Sequence, residues 1–144
     1  MASFVLDSYA VLALLTDDVG AAEVRELVAD PDYQFRMSVV NLGEVHYVVG
    51  RTNGADQADE AVRAIFEQEN ITVEDITWEL ARLAAMFKSR GGLSYADAFV
   101  CAEAARDGAA ILTGDPEFES VPALTVHWLP RKGNRSGRSN PPAP

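Results

Sequence analysis

A chain of 144 residues holds one domain with a real hydrophobic core and is too short for two comfortable ones. With 48% hydrophobic and 24% charged residues it has the composition of a soluble globular protein, and its longest apolar run is far below the ~20 residues of a membrane helix. The formal charge of −10 is uneven: residues 131–144 hold Arg131, Lys132, Arg135 and Arg138 and no acid, which leaves 8 basic and 22 acidic side chains in residues 1–130. Such a body repels nucleic acid at long range, so a polyanionic ligand needs metal ions, local cations or the basic segment in order to approach.

In chain order, Phe4-Val5-Leu6 reads as a buried strand that runs directly into a helix, with Asp7 at the strand's carboxyl end. Helices are expected over Ser8–Leu15 and Ala21–Ala29, the second stopped by Asp30-Pro31. Gln34–Met37 is a strand, and Ser38 caps a helix through Val49 that Gly50 closes. After the Asn53-Gly54 turn comes a periodic helix over Ala55–Glu69, with Ala58, Val62, Ile65 and Phe66 inward. Ile71–Val73 is a strand; Thr77 caps Trp78–Arg90, ended by Gly91-Gly92, and Ser94 caps a helix through Arg106, ended by Gly108. Ala110–Leu112 and Thr125–Leu129 complete the strands, and Trp78, Phe87, Phe99 and Trp128 read as core. Short strands alternating with helices imply a parallel sheet covered on both faces. Two segments follow: a domain over 1–130, and a Pro/Gly/Ser-rich basic stretch over 131–144 with a disordered composition.

Four acids carry the chemistry. Asp7 and Asp115 follow strands, and ligands in parallel α/β sheets bind at that edge. Glu44 has Val40, Tyr47 and Val48 as its helical neighbours and no Lys or Arg between Met37 and Gly50, so a buried, unpaired carboxylate is expected. Asp97 stands in Ser94-Tyr95-Ala96-Asp97, a capping-box pattern whose acid bonds back to the cap, yet it also opens a run that is otherwise apolar all round. Glu117 and Glu119 read as solvated loop acids, with a place for one of them at the rim of the site as the alternative. Gathered carboxylates without basic partners need cations, and oxygen ligands with no His or Cys among them select Mg²⁺ or Mn²⁺, ions suited to phosphodiester hydrolysis. Ser8 and Thr113 stand where they could orient those carboxylates or bind water. His46 and His127 lack zinc-type spacing, and Cys101 reads as a buried structural thiol. One cysteine and no signal-peptide pattern at the start of the chain fit a reducing cytoplasm.

Val5-Leu6-Asp7-Ser8-Tyr9, Asn41-Leu42-Gly43-Glu44-Val45, Leu93-Ser94-Tyr95-Ala96-Asp97-Ala98 and Leu112-Thr113-Gly114-Asp115-Pro116-Glu117-Phe118 together resemble the blocks of PIN-domain proteins, above all VapC toxins of VapBC pairs. The resemblance spans residues 4–129 and implies an α/β/α sandwich around a mostly parallel sheet of four to five strands. It implies a Mg²⁺- or Mn²⁺-dependent endoribonuclease that cleaves structured RNA, transfer or ribosomal, with a metal-activated water held by Asp7, Glu44, Asp97 and Asp115. It also implies a homodimer and a VapB-type antitoxin whose segment covers the acids. The competing expectation is a PIN-like binding module that engages an antitoxin or dimer partner without catalysis. A haloacid-dehalogenase-type phosphatase ranks below both, because the second acid it needs two residues after Asp7 is Tyr9.

Overall fold

The computed structural model describes residues 2–131, so the expectation of disorder beyond Arg131 falls outside the described residues. Five strands, β1 (Ala2–Leu6), β2 (Tyr33–Ser38), β3 (Ile71–Glu74), β4 (Ala110–Thr113) and β5 (Val126–Trp128), form one sheet in the order β3-β2-β1-β4-β5. Every pairing is parallel. The helices are α1 (Ser8–Thr16), α2 (Ala21–Ala29), α3 (Val39–Asn53), α4 (Ala55–Phe66), α5 (Trp78–Ser89) and α6 (Tyr95–Asp107).

The two-residue alternation of a strand sorts side chains between two cores. On β1, Phe4 and Leu6 face a cluster with Val11, Val24, Phe35, Met37 and Ile65, which α1 to α4 close. Val5 points the other way, into a cluster with Leu80, Phe87, Phe99, Val100, Ile111 and Phe118 beneath α5 and α6. The architecture is the α/β/α sandwich expected from the alternation of elements, with all five strands parallel.

Three local expectations fail, each for a definable reason. Gly50 does not end α3; the helix runs on to Asn53, and a Cβ at Gly50 would stand 3.6 Å from that of Ala58, so this glycine lets α4 lie close. The chain turns instead at Gly54, whose φ of +91° disfavours any side chain. The next helix stops at Phe66, short of Glu69, and Phe66 is 60% exposed, because the inward stripe is Ala58, Ala61 and Ile65 and Phe66 lies one residue round the helix. Trp78 is not core either. It opens α5 two positions before Leu80, on the face opposite Leu80, Ala84 and Phe87, and is 72% exposed. Trp78→Ala is therefore expected to change stability by less than about 0.5 kcal/mol, whereas Phe87→Ala costs about 3 kcal/mol or more; urea denaturation of the two variants checks the assignment.

Candidate active site

Leu6 and Leu112 are register partners, so β1 and β4 end side by side and deliver Asp7 and Asp115 to one edge of the sheet. Asp7 is fully buried and caps α1, accepting a hydrogen bond from the Ala10 amide at 2.9 Å. Its other oxygen accepts from the Thr113 hydroxyl. Thr113 Oγ1 accepts in turn from the Asp115 amide at 2.9 Å, and Asp115 Oδ1 accepts from the Glu117 amide at 2.9 Å, capping the 3₁₀ turn Pro116–Ser120. A continuous polar chain thus runs from the end of β1 to Glu117.

Gly114 in that chain carries the ring of Tyr9. A Cβ there would stand 2.4 Å from a Tyr9 ring carbon, so only glycine lets the loop close over the aromatic face.

Glu117 also resolves the ambiguity of Asp97. The Asp97 amide donates to Ser94 Oγ at 3.1 Å, as a capping box requires, but the Ser94 amide donates to Glu117 Oε2 at 3.3 Å. The reciprocal half of the box is supplied from another loop, which releases the Asp97 carboxylate from capping. Carboxylate oxygens of Asp97, Asp115 and Glu117 lie within 4.8 Å of one another. Glu117 is therefore a member of the cluster and not a solvated loop acid. Glu119 remains exposed.

Glu44 is half-buried, less than its apolar neighbours on α3 suggest, and its Oε1 accepts from the Ser8 hydroxyl. The base of α3 is fixed by Asn41, a buried residue that the sequence did not mark. Ser38 Oγ donates to Asn41 Oδ1 at 2.7 Å, and Asn41 Nδ2 donates to the Ala96 carbonyl at 3.1 Å. The helix bearing Glu44 is thereby tied to the backbone immediately before Asp97. A buried asparagine whose spacing also fits an ordinary N-terminal turn gives no signal of this contact in the sequence.

The electrostatics follow from burial and crowding. Burial, the largest cause, with the charges of Asp115 and Glu44, pushes the Asp7 carboxyl from 3.8 to about 7 against the hydrogen bonds from Thr113 and Ala10. Burial also raises Asp97, followed by its hydrogen bond with Glu117 and the charges of Asp115 and Asp7. Glu117 moves down because it accepts that hydrogen bond from Asp97. The pair thus holds a proton between its carboxyls, on the Asp97 side. Cys101, one turn along α6, is buried and pushed up to about 12, first by burial and then by Asp97. Far from this edge, Glu103 is also fully buried with neither carboxylate oxygen partnered, and burial pushes it to about 8.

The donor set suits a hard divalent cation. It is made of carboxylate oxygens, whereas His46 is paired with Asp59 and His127 with Glu23, each at 2.8 Å. Asp97, Asp115 and Glu117 are spaced to share one ion. Asp7 and Glu44 stand outside that tight group, although the charges of Glu44 and Asp115 reach Asp7 and that of Asp7 reaches Asp97.

Comparison with known proteins identifies the family and the fold. The model of the PIN domain matches residues 4–124. The chain belongs to the PIN-domain family. Its fold is that of VapC proteins: a VapBC2 structure from Rickettsia felis, bound to a DNA fragment from the pair's promoter, superposes with a TM-score of 0.70 at 15% identity, covering 89% of this chain and 99% of the other. The Mycobacterium tuberculosis toxin VapC20, described as cleaving the sarcin-ricin loop, gives 0.71 at 21% identity over 83% and 95%. VapBC-1 from nontypeable Haemophilus influenzae gives 0.66 at 16% over 88% and 97%. No curated protein matches the chain.

A PIN domain with these raised carboxyls has a defined pH signature without metal. A carboxyl whose folded pKa lies above its unfolded value favours the folded state fully at pH below the unfolded pKa, and that contribution is lost as pH rises through the folded one. For Asp7 the window runs from 3.8 to about 7. Stability of the metal-free protein is expected to fall across this window, and Asp7→Asn is expected to flatten the fall and to be the more stable protein at pH 8, by on the order of 2–4 kcal/mol. Urea midpoints measured in chelator across the pH range test this, and an unchanged profile would contradict the burial of a strained Asp7.

Proposed function

We propose that this PIN-domain protein is a Mg²⁺- or Mn²⁺-dependent endoribonuclease acting as the toxin of a VapBC-type toxin–antitoxin pair. One observation carries the reading: three carboxylates from two separate segments approach within 4.8 Å, beside a fourth that is wholly buried, with no cation among the described side chains in ion-pair contact with them. Such a set is costly to fold unless its purpose is to hold a positive charge.

In this reading Asp97, Asp115 and Glu117 hold the ion directly, Asp7 stands behind them, and Glu44 closes the α3 side. When bound, a divalent cation supplies an activated water at neutral pH and stabilises negative charge on the phosphate. Thr113 holds the Asp7 carboxylate and the Asp115 backbone in fixed relation, and Ser8 holds Glu44. Asp97 and Glu117 would hold an ion in their deprotonated forms, so affinity for it would rise with pH.

The likeness to VapBC structures supports the choice of partners. VapBC2 and VapBC-1 are structures of toxin–antitoxin pairs, and an antitoxin carrying a cation to these acids would both inhibit the protein and relieve its repulsion. A homodimer and a cytoplasmic setting belong to the same proposal. No helix among the described residues is long and apolar enough to cross a membrane.

Antitoxin-free protein is expected to cleave structured RNA in Mg²⁺ or Mn²⁺ and to lose about 100-fold or more of that rate in Asp97→Asn and Asp115→Asn. Glu117→Gln is expected to cost about 10-fold or more, and Glu119→Gln to cost little. Cleavage that persists in EDTA would sink the assignment.

A further inference from the structure

Three consecutive residues at the start of α1 reach three different walls of the site. Asp7, the N-cap, accepts from the Thr113 hydroxyl on β4, and Ser8 donates across to Glu44 on α3. Tyr9, about 100° further round the helix, crosses to the loop after β4, where its phenol edge lies on Gly114. A Cβ built on Gly114 would stand 2.9 Å from the Tyr9 hydroxyl oxygen. That oxygen therefore sits on the residue between Thr113, which holds Asp7, and Asp115, a member of the acid cluster. The ring is half-buried and packs against the core that α1 to α4 close, so its position is fixed by packing.

A phosphodiester brought to this edge needs hydrogen-bond donors, and ionised carboxylates offer only acceptors. The donors of the edge are mostly turned inward. The amides of Ala10, Ser94, Asp115 and Glu117 serve Asp7, Glu117, Thr113 and Asp115 in that order. The hydroxyls of Ser8 and Thr113 serve Glu44 and Asp7, and that of Ser94 is engaged with the Asp97 amide and Glu117. Lys88, on α5, donates to the Leu93 carbonyl at 2.7 Å. The Tyr9 hydroxyl makes no hydrogen bond among the described residues. A phenol donates without carrying charge, so it stands beside carboxylates without forming an ion pair with them.

We propose that Tyr9 seats the RNA phosphate: its hydroxyl donates to a non-bridging oxygen of the phosphodiester engaged at the acids, and the ring over Gly114 sets where that phosphate lies. The proposal rests on the ribonuclease reading and adds to it a substrate contact made by an uncharged donor. It also gives Gly114 its role, since any side chain there would displace the ring and carry the hydroxyl away from Asp115.

The test is Tyr9→Phe, which removes the hydroxyl and keeps the ring. Its urea midpoint and its affinity for Mn²⁺, followed by the paramagnetic resonance of the free ion, are expected to match those of the wild-type protein. Cleavage of structured RNA in Mn²⁺ by the antitoxin-free variant is expected to fall about tenfold or more in kcat/KM. At the bond that wild-type protein cuts, each non-bridging oxygen is then replaced in turn by sulfur, a weak acceptor. The loss caused by Tyr9→Phe is expected to shrink to about threefold or less with one of the two diastereomers. An unchanged rate in Tyr9→Phe overturns the proposal, as does an undiminished loss with both diastereomers, which would assign the hydroxyl to another group of the RNA. A lowered urea midpoint or a weakened hold on Mn²⁺ overturns it too, because the hydroxyl would then serve the fold or the ion. Wild-type protein that leaves RNA intact in Mn²⁺ overturns the ribonuclease reading itself, and this proposal with it.

Discussion

One hydroxyl group organises the working edge of this molecule. Thr113 Oγ1 donates to Asp7 at the end of β1 and accepts from the Asp115 amide just past β4. Two acids that repel each other are thereby held by a neutral group between them, and the loop that follows is aimed so that Glu117 returns to cap α6. Without that clamp the buried Asp7 has, among the described residues, only the Ala10 amide to offset its desolvation. The parallel order of strands supplies the framework: β1 and β4 are neighbours, so their carboxyl ends coincide.

The site is built at the expense of stability. Burial raises Asp7 and Asp97, and the pair Asp97–Glu117 retains a proton that carboxylates in water would release. The backbone compensates. Asp7 caps α1, Ser38 caps α3, Ser94 caps α6 and Asp115 caps the 3₁₀ turn, so the elements that meet at this edge are each terminated by a side chain already at the site. Capping typically contributes about 1 kcal/mol per helix, comparable to a modest charge penalty. Asn41 ties α3 to the start of α6 through the Ala96 carbonyl.

Much of this was legible in the sequence because strand and helix ends carry their own chemistry. Asp7 after Phe4-Val5-Leu6 and Ser94 three before Asp97 mark positions that the backbone fixes locally, and the fold followed from the alternation of elements. Glu117 was legible only as one of two acids, either of which could stand at the rim of the site. A residue two past Asp115 points into the cluster only because Pro116 starts a 3₁₀ turn, and a solvated loop would have the same composition. The capping box at Ser94 was legible as a pattern, but the source of its second bond, a residue 23 positions away, was not. Trp78 and Phe66 failed for a simpler reason: both are large apolar residues at helix ends, where size suggests burial and the helical angle forbids it.

The central claim is that these carboxylates form one cation-holding pocket. Diffraction from crystals of the antitoxin-free protein grown in Mn²⁺, recorded at the manganese edge, tests it most directly. The account predicts an anomalous peak coordinated by Asp97, Asp115 and Glu117 with Asp7 behind it. A peak at another surface with none among these acids, or no peak at millimolar Mn²⁺, would contradict it.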